Sequence, residues 1–99
     1  MGKIRVIEAK SFKDRLLGLC FKKNKDYCMY FDNCNSIHTF FMKEPIDVVM
    51  TDKNNKIIYI KKNMKKNRII LPKKNVSKTY EFPNNYIKDQ KKGDILVIK

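Results

Sequence analysis

Two apolar runs of strand length, Ile46-Asp47-Val48-Val49-Met50-Thr51 and Ile57-Ile58-Tyr59-Ile60, flank the turn-forming residues Asp52-Lys53-Asn54-Asn55. No other feature constrains the fold of this chain as strongly. β-Branched and aromatic side chains suit a pleated, half-buried surface, and Asp and Asn tolerate the positive φ of a tight reversal, so these residues predict a β-hairpin. Alternation places Ile46, Val48 and Met50 on one face of the first strand and Asp47, Val49 and Thr51 on the other. Asp47 is then an acid inside an otherwise apolar strand.

The remaining elements follow from the same periodicity. Lys3-Ile4-Arg5-Val6-Ile7-Glu8 reads as a first, edge strand, its apolar residues set among charges. Ser11 and Asp14 have the spacing of a capping box, and Phe12, Leu16 and Leu19 recur on one helical face, predicting a short N-terminal helix that ends near Gly18. Arg15 points from its other side, where a surface ion pair is the plain expectation. Tyr27 to Phe31 is a strand-length run, and Arg68 to Pro72 a shorter one. Thr79-Tyr80-Glu81-Phe82 predicts a strand with Tyr80 and Phe82 inward. Gly93-Asp94 turns the chain into Ile95-Leu96-Val97-Ile98, which is apolar on both faces and is expected to be central. About seven short strands and one helix make an α+β domain, mainly β, with the sheet curled into an open barrel.

At 99 residues and 42% hydrophobic content the chain suffices for one domain with one core and not for two. No apolar run approaches the roughly 20 residues of a membrane span, and the first residues lack a signal-peptide apolar region, so a cytoplasmic monomer is expected. The odd set Cys20, Cys28 and Cys34 has no C-x-x-C pair, which argues for reduced thiols over a disulfide framework or a structural zinc site.

The net charge of +13 comes from 20 lysines and only 3 arginines, in a chain crowded with Asn and Ile. AT-rich coding produces that bias, which weakens charge as a functional signal. The distribution is nevertheless uneven. Residues 1 to 50 carry nine basic and six acidic side chains, and residues 51 to 99 fourteen and four; Lys53 to Lys78 holds nine lysines and Arg68 with no acid. Such a field concentrates polyanions and fades with salt.

The chemistry-bearing stretch is Cys34-Asn35-Ser36-Ile37-His38-Thr39-Phe40-Phe41-Met42-Lys43-Glu44-Pro45, which contains the only histidine. Pro45 pushes Glu44 out of the α region, so the residues from Thr39 to Glu44 are expected to be extended. Together with Arg15-x-x-Gly18-Leu19, Ile46-Asp47-Val48-Val49, the Lys53-Asn54-Asn55 turn and Gly93-Asp94, the motif resembles the bacterial and archaeal DUF192 family over residues 10 to 98. That resemblance implies a compact β-rich fold with Arg15, Gly18, Gly93 and Asp94 as part of its pattern, and it brings no established activity. Members elsewhere carry export signals. The chain departs from the pattern at Cys20, where methionine is common, at Lys65 and Lys66, where proline is usual, and at Asn84-Asn85, where glycine is usual.

Four chemistries compete with plain packing. Cys34, His38 and Met42 recur every four residues and suit copper, yet on a strand positions four apart lie roughly 13 Å from each other, so no metal or other cofactor is expected. A cysteine or serine activated by His38, with Asp47 orienting the ring, would make a hydrolase-type nucleophile, but nothing local forces convergence. The lysine-rich stretch Lys53–Lys78 would bind nucleic acid or another polyanion, although Arg68 is its single arginine and it lacks the ordered aromatic platforms that RNA-binding sheets use. The preferred reading is a binding or accessory module rather than an enzyme, with no activity assigned either way. Its pocket of Cys34, Ser36, His38, Thr39, Met42, Lys43 and Asp47 would take a small ligand or a protein partner. The packing alternative makes His38 a core histidine hydrogen-bonded to Asp47 or a backbone carbonyl.

Overall fold

The hairpin lies at one side of a five-stranded sheet. The computed structural model describes residues 5–9, 27–39, 44–65 and 67–97. Among these residues the chain forms β1 (Arg5–Glu8), β2 (Tyr27–Asp32), β3 (Ile37–His38), β4 (Ile46–Thr51), β5 (Ile57–Met64), β6 (Ile69–Ile70) and β7 (Lys78–Pro83). The sheet order is β1-β2-β7-β4-β5, and β3 and β6 pair apart as a two-stranded ribbon. β1 and β2 are parallel and the other pairs antiparallel, so the sheet is mixed.

The strand β4 is buried along its whole length. Ile46, Val48 and Met50 join Met29, Phe31, Met64 and Ile70 in one apolar cluster, while Val49 joins Cys28, Ile57, Tyr80, Phe82, Ile87 and Leu96 in another. Both faces of the sheet are therefore covered, which is why this strand is almost continuously apolar. Each fully buried side chain of this kind contributes about 1.5–3 kcal/mol. The predicted alternation of faces holds, and Tyr80 and Phe82 are both buried.

Asp47 has a structural reason to sit in that strand. Val48 pairs with Lys61 and Ile46 with Met64, so β5 carries one extra residue opposite Asp47 and forms a bulge there. The bulge removes the Asn63 N–H from the ladder, and Asp47 Oδ1 accepts it at 2.9 Å; Oδ2 accepts the Ile87 N–H at 2.9 Å. One carboxylate thus ties both the bulge and the segment after β7 to the sheet.

Asparagine supplies the turns. Every described non-glycine residue with positive φ is an Asn: Asn33, Asn55, Asn63, Asn67, Asn75 and Asn85. Asn tolerates the left-handed region better than other residues with a Cβ, so the composition that suggests coding bias also places the reversals. Asn85, at φ 69, fills the turn where the family pattern has glycine. In the β4–β5 turn, Asp52 Oδ1 accepts the N–H groups of Asn54 and Lys56 at 2.8 and 3.0 Å, and these donors, Lys56 first, hold its carboxyl below the usual carboxylate range.

Two expectations change, and a third falls outside the described residues. The sheet does not close into a barrel, because its end strands β1 and β5 lie at opposite edges of the order and do not pair. The centre is β7, not Ile95–Ile98: Ile95 makes only an isolated bridge to Lys56, and Ile95 and Val97 are exposed while Leu96 is buried. Backbone bonds from Ile57 N–H to the Asp94 carbonyl, Gly93 N–H to the Ile57 carbonyl and Leu96 N–H to the Asn55 carbonyl clip this segment across the start of β5. A short apolar run reads alike for a central strand and for such a clip. The predicted helix, with Arg15, Gly18 and Cys20, lies outside the described residues.

Two outcomes are expected. Asp47→Ala leaves two backbone N–H groups without acceptors and should cost about 2–4 kcal/mol in urea unfolding, with Asp47→Asn intermediate; a loss under about 0.5 kcal/mol would refute the tie. The protein should also weaken in alkali. Burial, then the Glu81 carboxylate, pushes the Cys28 thiol from 9.0 up to about 12, and burial followed by its bond to Asp32 pushes Tyr30 up to about 12. Burial also raises Tyr80 and Tyr86. The unfolded chain releases these protons first, so stability is intact below about pH 9 and falls as pH rises, by about 3 kcal/mol from Cys28 alone by pH 11. A urea midpoint flat between about pH 8 and 11 would contradict this.

Candidate functional site

The β3–β6 ribbon is built by the central motif. Ile37 pairs with Ile70 and His38 with Ile69, and Cys34, Ile37 and Ile70 pack on the cluster around Ile46, Val48 and Met50. The segment leading into β3 is anchored to β7 and to the chain before it. Cys34 donates its N–H to the Ser77 carbonyl at 3.0 Å and accepts the Thr79 hydroxyl at 2.9 Å on its own carbonyl. Lys73 N–H reaches the Asn35 carbonyl at 3.2 Å, and the Cys34 thiol donates to the Ser36 carbonyl at 3.0 Å.

Thr39 finishes the ribbon. Its hydroxyl donates to the Lys65 carbonyl at 2.7 Å and accepts the Arg68 N–H at 2.9 Å. Its N–H reaches the Arg68 carbonyl at 2.9 Å, and its carbonyl accepts the Asn67 N–H at 3.1 Å. Four bonds from one buried residue fix the connection between β5 and β6.

Between this ribbon and the sheet lies a hollow of about 270 Å³. Phe31, Ile37, Ile69, Ile70, Leu71 and Pro72 give it apolar walls; Cys34, Ser36, His38 and Glu81 supply its polar groups. Its rim is apolar and open, with Ile69 57% and Leu71 72% exposed. His38 is half-buried here, and it makes an interaction within the domain as well.

Of the residues expected to share one pocket, Cys34, Ser36 and His38 come together. Thr39 and Asp47 do not: Thr39 is 1% and Asp47 0% exposed, and their side-chain oxygens serve backbone groups of the chain itself. Asp47 also lies on the face of β4 opposite Ile46 and Val48, whereas the hollow opens on theirs. The acid expected to orient His38 is thereby committed elsewhere, which removes the Asp47 leg of the nucleophile arrangement. Met42 and Lys43 lie outside the described residues. Gly93, at φ +93, and Asp94 form the turn that docks on Ile57.

Sequence reading misses Glu81. With Tyr80 and Phe82 inward, Glu81 falls on the opposite face and reads as solvent-facing. Because β7 is the centre of a sheet covered on both sides, that second face is also interior, and Glu81 is 2% exposed at the floor of the hollow. Three acids, Asp47, Glu81 and Asp52, thus have three environments, and only Glu81 lines the hollow.

The comparisons with known proteins agree with this architecture. Residues 1–98 match the DUF192 family, described as an uncharacterized ACR. The chain belongs to the DUF192 family. It is 43% identical over 63 residues to UPF0127 protein PH1112 of Pyrococcus horikoshii, a match that spans 58% of this chain and about half, 52%, of that relative. Among solved structures, a protein of unknown function from Novosphingobium aromaticivorans superposes with a TM-score of 0.69 at 13% identity, covering 83% of this chain and 64% of its own. A proposed transcription regulator from Sinorhizobium meliloti gives a TM-score of 0.68 at 19% identity, covering 80% and 67%. At these identities the structural likeness establishes the fold alone. Among the described residues no helix is long and apolar enough to cross a membrane.

The Thr39 bonds make a direct prediction. Thr39→Val keeps the shape and removes the hydroxyl, leaving the Arg68 N–H and Lys65 carbonyl to find other partners. It should cost about 1–3 kcal/mol and speed amide exchange at Asn67 and Arg68 ahead of the β4 amides. Thr39→Ser should retain most of the stability. Equal exchange rates in Thr39→Val and the parent would show that the hydroxyl holds nothing.

Proposed function

We propose that this domain is a binding module whose site is the hollow beneath the β3–β6 ribbon. The ligand is a small molecule, or a side chain of a protein partner, with an apolar body and one or two hydrogen-bonding groups. What supports this reading is the composition of the hollow: six apolar residues forming walls around Cys34, Ser36, His38 and Glu81, with an open rim. Ligand sites commonly combine mostly apolar walls with few placed polar groups. Ser36 and His38 are assigned the orienting contacts and the Cys34 thiol is part of the lining; Met42 and Lys43 of the same sequence motif lie outside the described residues. Thr39 and Asp47 support the site from behind.

The probes for this reading are small aromatic and branched aliphatic compounds carrying an amide, alcohol or amine, screened by amide chemical shifts. Shifts are expected to concentrate at residues 34–38 and 69–72, and His38→Ala should weaken the best binder about tenfold, the worth of one well-placed polar contact. If that compound binds the His38→Ala and Leu71→Ser variants as it binds the parent, the hollow is not the site.

A further inference from the structure

A second hollow, of about 380 Å³, lies between β5 and β6 and is lined by Tyr59, Lys61, Asn63, Met64, Lys65, Arg68, Ile69 and Ile70. Three of these are cations and none is an acid. Lys61, Lys65 and Arg68 are exposed, and Lys73 Nζ sits 4.2 Å from the ring centroid of Tyr59, adding a fourth positive charge over a residue of the groove wall. Like charges gathered on one concave surface repel one another, and a multiply charged anion relieves that repulsion more than a single carboxylate does.

The backbone that carries these cations is held in place. Asn63 is fixed by Asp47 through the β5 bulge, and Lys65 and Arg68 are fixed by Thr39, so two buried side chains set the spacing of three groove residues. The ammonium groups of Lys61 and Lys65 form no hydrogen bond or ion pair among the described residues, while the Arg68 guanidinium reaches the Asn67 carbonyl at 3.4 Å. Arg68 offers planar donors suited to two oxygens of one phosphoryl group, and the lysines act as point charges around it.

We infer that this groove is an anion site for a phosphoryl group, presented either by a small phosphorylated compound or by a nucleic-acid backbone. The site stands apart from the His38 hollow, with which it shares only the Ile69–Ile70 wall, and a failure of one reading leaves the other intact.

Inorganic pyrophosphate is the first probe. It should shift the amides of Lys61, Asn63, Lys65 and Arg68, and its binding should weaken steeply between about 50 and 200 mM salt. The triple variant Lys61→Gln, Lys65→Gln, Arg68→Gln should lose about tenfold or more in affinity. A variant with the same change in net charge outside the groove, Lys53→Gln, Lys74→Gln, Lys88→Gln, should lose less than about threefold. All six side chains are exposed, and His38→Ala should bind pyrophosphate as the parent does. A second arm uses oligothymidylate of about twelve nucleotides. Sensitivity of both probes to the groove variant assigns the site to phosphodiesters as well; sensitivity of pyrophosphate alone assigns it to small phosphorylated compounds. Equal losses in the two triple variants, or shifts outside the groove, would reduce the effect to net charge and overturn the proposal.

Discussion

The hydrogen bonds of Thr39 are the constraint on which the β3–β6 ribbon and the hollows beside it depend. A two-residue ribbon such as β3–β6 has too few ladder bonds to persist alone, since isolated hairpins are marginal in water. Thr39 continues that ladder with its backbone and adds its hydroxyl to the connection from β5. The ribbon therefore stands at a fixed place over the sheet. Two hollows result, one beneath the ribbon toward β2 and β7 and one between β6 and β5, with the Ile69–Ile70 backbone as their common wall.

The division of polar groups follows from burial. A carboxylate inside an apolar strand is costly unless its oxygens find donors, and Asp47 meets that requirement with two backbone N–H groups. It is consequently an architectural residue. Cys34 and Ser36 stand where the chain crosses from β2 to the ribbon, Cys34 held by bonds to Ser77 and Thr79 and the Ser36 carbonyl accepting the Cys34 thiol, and both line the hollow. The same fold thus spends some polar residues of the motif on its own backbone and presents others outward, and the difference is set by which side of β4 or β3 each occupies.

Local features were legible in the sequence and long-range ones were not. The hairpin, the edge position of β1, the Tyr80–Phe82 face and the Asn turns depend on neighbours one to five residues away, so periodicity and turn chemistry suffice. Cys34, Ser36 and His38 read as neighbours because they crowd one short stretch, and all three line the hollow. The role of Asp47 depends on residues 16 and 40 positions away, and that of Thr39 on residues 26 and 29 positions away. No local rule encodes those partners, which is why both read as pocket residues. Glu81 was missed for a topological reason: its burial follows from β7 being central, and strand order is invisible to alternation. Ile95-Leu96-Val97-Ile98 took the central place in the sequence reading because apolar content reports burial without reporting pairing.

The central claim is that the space under the β3–β6 ribbon receives something other than the domain itself. Crystals soaked in a small aromatic amide and solved at high resolution test this most directly. The account predicts density for the compound bounded by Phe31, Ile37 and Ile70, with one polar atom within hydrogen-bond reach of Ser36 or His38. A hollow closed by the protein's own side chains, with the compound absent or bound elsewhere, would contradict it.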